Sequence, residues 1–251
     1  MPGYDVVIPA RNEESTVGAV VRAALAAPGV RQVVVVDDGS ADGTAAAAAA
    51  AGARVIASAA AAAASGDKGR ALARGVAATA SPVLVFFDAD ILGSRPAHFA
   101  ALAGPVLEGA AALSLGIVDY GPLRNPVFLR LPPITGLRAL RREVFEAIPP
   151  GRRNGFRIEI MINEVVARGR LPSAIRVLAG LRHRSKIDKT GWKVGAPAHL
   201  AMMRELLGCL RTVPLWTYGA YLRHSTVLPP QGGPPHRDHP EARSSAPHGD
   251  A

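Results

Sequence analysis

Short apolar runs alternate along this chain with longer segments whose apolar residues recur at helical spacing. A continuous apolar run of about four to eight residues is typical of a strand buried on both faces of a parallel sheet. The intervening helical segments would then cover that sheet. The pattern predicts an α/β fold with a mostly parallel central sheet and helices on both faces. The predicted strands are residues 5–9, 32–36, 53–57, 83–87, 110–118 and 173–181.

The run at residues 83–87 leads directly into Asp88, Ala89 and Asp90. Charge at the carboxyl end of a buried strand lies where open α/β sheets bind ligands. Because alternate side chains of a strand share a face, both carboxylates are expected to point into one crevice, with Ala89 leaving the backbone open. Paired carboxylates suit Mg²⁺ or Mn²⁺ bound together with a phosphate-bearing substrate. A strand followed by a plain acidic turn is the alternative interpretation.

A second run, at residues 32–36, ends in Asp37, Asp38 and Gly39. A turn with a helix cap would explain this ending by itself. Its repetition of the strand-then-aspartate pattern is more informative, because two parallel strands that deliver carboxylates to one edge would bracket a nucleotide. Asp38 would then be available to the base or the ribose.

The turn after the first predicted strand is expected to be exposed at the same edge of the sheet. Asn12 is the predicted N-cap of the next helix, and Glu13 falls in its first turn, where the helix dipole favours a carboxylate. These residues either only start a helix or also line a ligand site. The turn itself consists of Pro9, Ala10 and Arg11.

Four further side chains are candidates for chemistry. Lys68 lies between glycines at the start of a helix predicted over residues 66–80, where it could reach a phosphate. Glu159 and Glu164 belong to an apolar helix predicted over residues 155–168; they are five positions apart, so at least one is expected to face inward or toward a cleft. His183 follows the last predicted strand among basic residues, and it is either part of a solvated loop or a metal ligand.

The composition of the chain limits the classes of binding partner that are expected. The net charge of +9 favours an anionic partner, but aromatic residues make up only 5% of the chain and do not alternate with basic ones, so nucleic acid is not expected. Nucleotide diphosphates and anionic membrane surfaces remain. The single cysteine excludes an internal disulfide and fits a reducing compartment. With no long apolar run and no signal-like start, a cytoplasmic location is predicted.

The chain is predicted to form one domain over residues 1–228, with a nucleotide-binding half at 1–118 and an acceptor-side half at 119–228. The acceptor half contains a proline-rich loop at 119–135 and a predicted helix at 136–148. Residues 200–228 are apolar with interspersed arginines; they either pack on the domain or lie at the inner face of a membrane. Residues 229–251 are rich in Pro, Gly and Ser, and they are predicted to be a disordered tail.

Four motifs in this order resemble the family 2 glycosyltransferases, which have the GT-A fold: V-I-P-A-R-N-E-E, V-V-V-D-D-G-S-A-D-G-T, K-G-R-A-L-A-R-G and V-F-F-D-A-D. Within that superfamily the chain is similar to the glucosyl-3-phosphoglycerate synthases and to the polyprenyl-phosphate sugar transferases. The resemblance implies an inverting enzyme that needs Mg²⁺ or Mn²⁺. It would move a sugar from a UDP- or GDP-sugar to an acceptor hydroxyl.

The resemblance also implies roles for individual residues. Asp38, followed by Gly39, would contact the base, and Lys68 would lie beside the nucleotide. Asp88 would approach the ribose and the metal's water, while Ala89 would adjoin the nucleotide. The base and ribose pocket would be lined by Pro9, Ala10, Arg11 and Glu13.

The same resemblance assigns the metal and the chemistry. Asp90 would bind the metal directly, His183 would complete the metal site, and Arg184 would hold the diphosphate. The acidic pair usual on the acceptor-side helix is absent here, and Glu159 is its nearest substitute as catalytic base.

Several alternatives stay open at this point. The acceptor is either a small anionic molecule or a polyprenyl-phosphate or other lipid, and a homodimer and a peripheral membrane contact are both left open. A non-catalytic nucleotide-binding or membrane-surface module is the alternative of another class. A sugar-1-phosphate nucleotidyltransferase would share the fold, but it should carry a glycine-rich loop where this chain has P-A-R-N-E-E.

Overall fold

The computed structural model describes residues 3–57, 67–130, 135–155, 157–184, 219 and 223–231. The strands are β1 (Tyr4–Ala10), β2 (Val30–Asp37), β3 (Arg54–Ala57), β4 (Val83–Phe86), β5 (Ile91–Leu92), β6 (Leu113–Val118), β7 (Arg138–Arg141), β8 (Ser173–Leu178), β9 (Arg182–His183) and β10 (Ser225–Val227). The α-helices are α1 (Glu14–Leu25), α2 (Thr44–Ala50), α3 (Lys68–Ala77), α4 (Pro96–Leu107), α5 (Asn125–Phe128), α6 (Arg142–Glu146) and α7 (Arg157–Arg168).

Eight strands form one sheet in the order β10-β8-β6-β7-β4-β1-β2-β3. The neighbours pair in parallel except at β7, which runs antiparallel to both β4 and β6. One apolar cluster joins the sheet to α1, α2 and α4, and a second joins the opposite face to α3, α6 and α7. The predicted α/β fold, with a mostly parallel sheet covered on both faces, is confirmed.

The helix predicted over residues 136–148 is wrong in its first half. Residues Arg138–Arg141 form β7, and only the following five residues, Arg142–Glu146, are helical. The segment fills the gap between β4 and β6, where Arg138, Ala139 and Leu140 are all buried. Intrinsic helix propensity is a weak preference, and pairing on both sides of the strand overrides it here.

The predicted N-cap at Asn12 is also wrong. Glu13 takes that position, while Asn12 has a left-handed backbone with φ of 56°. Asparagine is one of the residues that tolerate this conformation. The side-chain Oδ1 of Asn12 accepts the backbone N–H of Ala41 at 2.9 Å. Asn12 therefore joins the turn after β1 to the loop after β2.

The expectation that Asp88 and Asp90 share a face by strand alternation does not hold, because β4 ends at Phe86 before either residue. A separate two-stranded ribbon starts immediately afterwards, in which Ile91 of β5 pairs with His183 of β9. The two aspartates thus lie in the connection between the main sheet and this ribbon.

Tight packing holds this ribbon against the main sheet. Gly93 has a φ of +81°, and a Cβ on it would lie 2.4 Å from the carbonyl oxygen of Gly180. The buried His98 accepts the N–H of Arg95 at Nδ1 (3.1 Å) and lies 3.2 Å from the carbonyl oxygen of Ala179 at Nε2. Burial lowers the pKa of His98, so the neutral imidazole links the start of α4 to the turn that precedes β9.

At the C-terminal end, β10 extends the sheet beside β8. The pairing continues past the strand, because Gln231 accepts the N–H of Ala179 and donates its own N–H to Val177. The predicted disordered tail is therefore wrong for residues 229–231, which lie along β8. The rest of that tail, most of residues 200–228 and residues 131–134 of the proline-rich loop lie outside the described residues. Within the described part of the chain, no helix has the length and apolar character needed to span a membrane.

Candidate active site

The centre of the site is Lys68, the first residue of α3. Its Nζ lies 2.6 Å from Oδ1 of Asp88 and 2.7 Å from Oε1 of Glu159. Asp88 follows β4, whereas Glu159 lies in the first turn of α7. One ammonium group therefore joins the segment after β4 to α7 through a pair of ion pairs.

The charges in this cluster stabilise one another. Burial alone would lower the pKa of Lys68, but Asp88 and Glu159 outweigh it and raise that pKa, so the amine stays protonated. Burial alone would raise the pKa of Glu159, but Lys68 and then Arg138 outweigh it and lower that pKa. Glu159 is therefore a carboxylate, and with its pKa lowered it is a weak base in this arrangement.

Arg138 approaches Glu159 at the other carboxylate oxygen, Oε2. Its Nη2 lies 3.9 Å from Oε2 of Glu159, and its Nη1 donates to the backbone carbonyl of Glu159 at 3.2 Å. Its Nε donates to the carbonyl of Thr135 at 2.9 Å. The side chain is only 1% exposed, so this guanidinium is a buried part of the cluster.

Gly136, two residues before Arg138, packs directly on Asp88. A Cβ on Gly136 would lie 2.2 Å from both carboxylate oxygens of Asp88, which is too close for any side chain. The absence of a side chain at this position lets the loop before β7 pass beside the carboxylate.

Asp67 connects three parts of the site through its backbone and side chain. Its N–H donates to Oδ2 of Asp38 at 2.8 Å, and its Oδ1 accepts the N–H of Gly155 at 2.6 Å. The same oxygen accepts the N–H of Arg70 at 3.0 Å, which makes Asp67 the N-cap of α3. The residue that follows it, Lys68, is thereby fixed between the loop after β2 and the segment that leads into α7.

A second group of side chains lies on the ribbon. Oδ1 of Asp90 is 3.7 Å from Nδ1 of His183, and the contact with Asp90 raises the pKa of this histidine against the effect of burial. Arg184 donates its backbone N–H to the carbonyl of Asp90 at 3.0 Å and its Nη1 to Oγ of Ser15. The ribbon thus places the imidazole beside the second aspartate, and the backbone of Arg184 is joined to that of Asp90.

The residues suit a divalent cation, although they do not form a complete cage. Within the described ranges, no group of three or more His, Cys, Asp and Glu residues could hold a metal ion. Asp90 and His183 face each other with their side chains 24% and 45% exposed, while Asp88 is engaged by Lys68. One carboxylate and one imidazole leave positions for phosphate oxygens and water, and Mg²⁺ bound with a phosphate substrate usually keeps several such ligands. Asp88, the third residue of the predicted metal set, is held by Lys68 in this structure.

The predicted nucleotide pocket surrounds the start of α1. Asp38 is buried and donates its N–H to the carbonyl of Ala10 at 2.9 Å, while Arg11 and Gly39 are exposed. Glu13 is buried, and its carboxylate accepts the hydroxyl of Thr16 at 3.3 Å. The structure therefore places these residues around the carboxyl ends of β1 and β2.

The model of the glycosyl transferase family 2 matches residues 5–153, which include β1, β2, β4 and the aspartates that follow them. The chain belongs to the glycosyl transferase family 2. It is a nucleotide-sugar-dependent glycosyltransferase, so the alternatives of a nucleotidyltransferase and of a non-catalytic module are set aside. No curated protein sequence matches the chain.

Solved structures of glucosyl-3-phosphoglycerate synthase from Mycobacterium tuberculosis are similar to this glycosyltransferase. A complex with Mn²⁺, UDP-glucose and phosphoglyceric acid is 27% identical, with a TM-score of 0.64 over 86% of this chain and 80% of that chain. A complex with Mg²⁺ and UDP is 28% identical, with a TM-score of 0.65 over 86% and 79%. A complex with Mn²⁺, UDP-glucose and glycerol 3-phosphate is 27% identical, with a TM-score of 0.63 over 86% and 80%. The GT-A fold expected from the sequence is thereby confirmed.

Sequence reasoning missed three residues of this glycosyltransferase's site. Asp67 carried a detectable signal, because an aspartate before a helical segment is a typical N-cap. Gly136 and Arg138 carried none, since the segment that contains them was predicted to be helical.

Proposed function

We propose that this glycosyltransferase moves glucose from UDP-glucose to a hydroxyl of a small phosphorylated three-carbon acceptor, in a reaction that uses Mn²⁺ or Mg²⁺. The observation that carries the proposal is the position of Lys68 between Asp88 and Glu159, because it puts one cation where the donor and acceptor halves meet. The similar solved structures hold UDP-glucose together with phosphoglyceric acid or glycerol 3-phosphate.

The donor side is assigned as follows. Asp38 reads the base, and Lys68 contacts the diphosphate once the donor enters. Arg184 neutralises a further phosphate oxygen from the ribbon. The residues that line the base and ribose are Pro9, Ala10, Arg11, Glu13, Gly39, Asp88 and Ala89.

Asp90 and His183 are the protein ligands proposed for the metal. A divalent cation bound there would offset the negative charge that builds up on the departing nucleoside diphosphate. The cations supplied by the chain itself act in the same direction, because Lys68 and Arg184 would offset the same negative charge from α3 and from the ribbon.

The acceptor is proposed to be anionic and small. Arg182 precedes His183, and its exposed side chain could form charge-assisted hydrogen bonds with an acceptor phosphate. The lipid acceptor depended on residues 200–228, which lie largely outside the described part of the chain. Membrane contact, a homodimer and a cytoplasmic location stay predictions from the sequence.

The role proposed for Glu159 depends on the position of Lys68. As long as Lys68 and Arg138 neutralise it, its lowered pKa suits it to accept a hydrogen bond from a substrate hydroxyl and not a proton. Transfer of Lys68 to the donor's diphosphate would remove one of these cations and raise the basicity of Glu159. A single displacement with Glu159 as base would invert the anomeric centre, as the sequence predicts.

The experiment that checks this proposal measures UDP release from UDP-glucose in the presence of Mn²⁺. Phosphoglyceric acid should stimulate release about 10- to 100-fold over glyceric acid, since the phosphate adds charge-assisted hydrogen bonds of about 1.5–3 kcal/mol. GDP-glucose serves as the donor control, and a polyprenyl phosphate in detergent serves as the lipid control. Equal rates with and without the acceptor's phosphate would contradict the proposal, and stimulation by the polyprenyl phosphate alone would replace it with the lipid acceptor.

A further inference from the structure

Arg138 is an unusual residue for its place in the sheet. It begins β7, where its backbone faces Phe86 of β4 on one side and Leu115 of β6 on the other. The two residues that follow it, Ala139 and Leu140, are apolar and buried, as expected for an interior strand. A buried charge costs several kcal/mol unless it is paired and hydrogen-bonded. An apolar residue at this position would avoid the cost of burying a charge, so the presence of a guanidinium requires another explanation.

The contacts of Arg138 point to Glu159. The guanidinium donates to the backbone carbonyl of Glu159 at 3.2 Å and lies 3.9 Å from its carboxylate. It also donates to the carbonyl of Thr135 at 2.9 Å. A planar guanidinium with several fixed donors can hold a backbone and a carboxylate at the same time, whereas an ammonium group acts as a single point charge.

The same side chain also affects Asp88 indirectly. Thr135, which Arg138 holds by its carbonyl, precedes Gly136, and Gly136 packs against the carboxylate of Asp88. Arg138 therefore anchors the backbone next to both carboxylates that Lys68 bridges.

We propose that Arg138 is a positioning residue for sugar transfer, which holds the carboxylate of Glu159 in place and ionised opposite Lys68. The inference rests on the proposed function, since it gives Glu159 a part in the reaction. Arg138 itself makes no contact with substrate. It acts through Glu159.

The charges around Glu159 make the consequence measurable. The cations around this carboxylate are Lys68 from α3, Arg138 from β7 and His183 from β9, and Asp88 is bound to the same ammonium group of Lys68. Removing the charge of Arg138 leaves less positive charge against a buried carboxylate, so the pKa of Glu159 should rise. The variant should then lose the ionised form of Glu159 at a higher pH than the unmodified enzyme does.

Arg138→Gln and Arg138→Lys separate charge from anchoring. Glutamine keeps hydrogen-bond donors but loses the charge, whereas lysine keeps the charge. We expect Arg138→Gln to lower kcat roughly 100-fold, the size expected from a misplaced group near the reacting atoms, with the KM for UDP-glucose changed less than about threefold. The acidic limb of its pH–rate profile should move to higher pH. Arg138→Lys should restore the profile and part of kcat.

Arg142→Gln is the matched control. Arg142 also anchors backbone, with donations to the carbonyls of Ser81 at 2.9 Å and Val76 at 3.1 Å, but its guanidinium pairs with Glu146 and not with Glu159. It should leave the pH–rate profile unchanged. If Arg138→Gln instead has the unmodified profile, or if lysine does not restore it, Arg138 is merely structural and the proposal is wrong.

A spectroscopic readout distinguishes this proposal from the proposed function. The carboxyl carbon of Glu159 in ¹³C-glutamate-labelled protein reports its pKa without any substrate, with Glu159→Gln identifying the signal. A higher pKa in Arg138→Gln than in the unmodified protein supports the positioning role even if UDP-glucose is not the donor. An unchanged pKa overturns it whatever the activity. If Arg138→Gln does not fold, the same titration of Arg138→Lys decides, since an unshifted pKa is expected there.

Discussion

Replacing Lys68 by methionine is expected to lower kcat/KM for UDP-glucose about 100- to 1000-fold, the effect typical of losing one preorganised donor to a developing negative charge. Methionine has a similar length, but it cannot contact a diphosphate oxygen as a cation. It also leaves Asp88 and Glu159 without the ammonium that now lies within 2.7 Å of both. Initial-rate kinetics with varied UDP-glucose would measure the loss.

The same substitution should destabilise the fold, because two carboxylates lose their shared partner. Breaking a buried pair by removing one partner costs about 3–5 kcal/mol, and a fall of roughly 3 kcal/mol in the free energy of unfolding is expected by urea denaturation. Arg70→Met is the matched control, since Arg70 lies two residues later on α3 with its side chain 63% exposed. It removes an ion pair with Asp67 at 3.1 Å, which is worth at most about 1 kcal/mol for so exposed an arginine, and it keeps the N-cap hydrogen bond from the backbone N–H of this position. Activity and nearly all of the stability should therefore be retained. Lys68→Met with activity within threefold of the unmodified enzyme would remove Lys68 from the mechanism.

Asp90→Asn is expected to weaken Mn²⁺ binding in the presence of UDP by at least about 10- to 100-fold, the range typical for damage around a metal site. The amide keeps the size of the side chain but loses the charge that faces His183 at 3.7 Å. Because only Asp90 and His183 are proposed as ligands among the described residues, the loss of one carboxylate should have a large effect. Calorimetric titration of Mn²⁺ into protein with UDP would measure the change.

Asp42→Asn controls for the loss of a negative charge at the same edge of the sheet. Asp42 accepts the N–H groups of Glu14 and Thr44, and it is exposed and distant in sequence from the metal candidates. Its amide variant should bind Mn²⁺ as the unmodified protein does. Equal Mn²⁺ affinity in Asp90→Asn and the unmodified protein would exclude Asp90 as a ligand.

The strands could be predicted from the sequence because a strand that is buried on both faces consists of consecutive apolar residues. Residues 32–36 and 83–87 are such runs, and the acidic residues that follow both of them marked the edge at which the site lies. The boundaries of β2 and β4 are close to those expected. This part of the fold depends on local sequence.

The central ion pairs could not be predicted in the same way. Lys68 and Glu159 are 91 positions apart, and only the three-dimensional packing of α3 beside α7 brings them together. The sequence named both residues but assigned them to separate tasks, one to the nucleotide and one to the acceptor. Their mutual contact changes the charge and the basicity of each.

The burial of Arg138 could not be predicted from the sequence for a different reason. Its neighbours favour a helix, and an arginine in a predicted amphipathic helix would ordinarily be exposed. The antiparallel insertion of β7 between β4 and β6 buries Arg138 instead, and the local sequence pattern does not predict this insertion.

Transfer of glucose to the acceptor is measured most directly by following the labelled sugar itself. The enzyme would be incubated with UDP-glucose labelled with ¹³C in the glucose, Mn²⁺ and phosphoglyceric acid, and the products analysed by NMR. We expect equal amounts of UDP and of a glucosylated phosphoglyceric acid. The labelled anomeric carbon should be coupled to the acceptor across the new glycosidic bond. The coupling constant of the anomeric proton would at the same time show whether the centre is inverted. Label that stays in UDP-glucose, or that appears only as free glucose, would contradict the account.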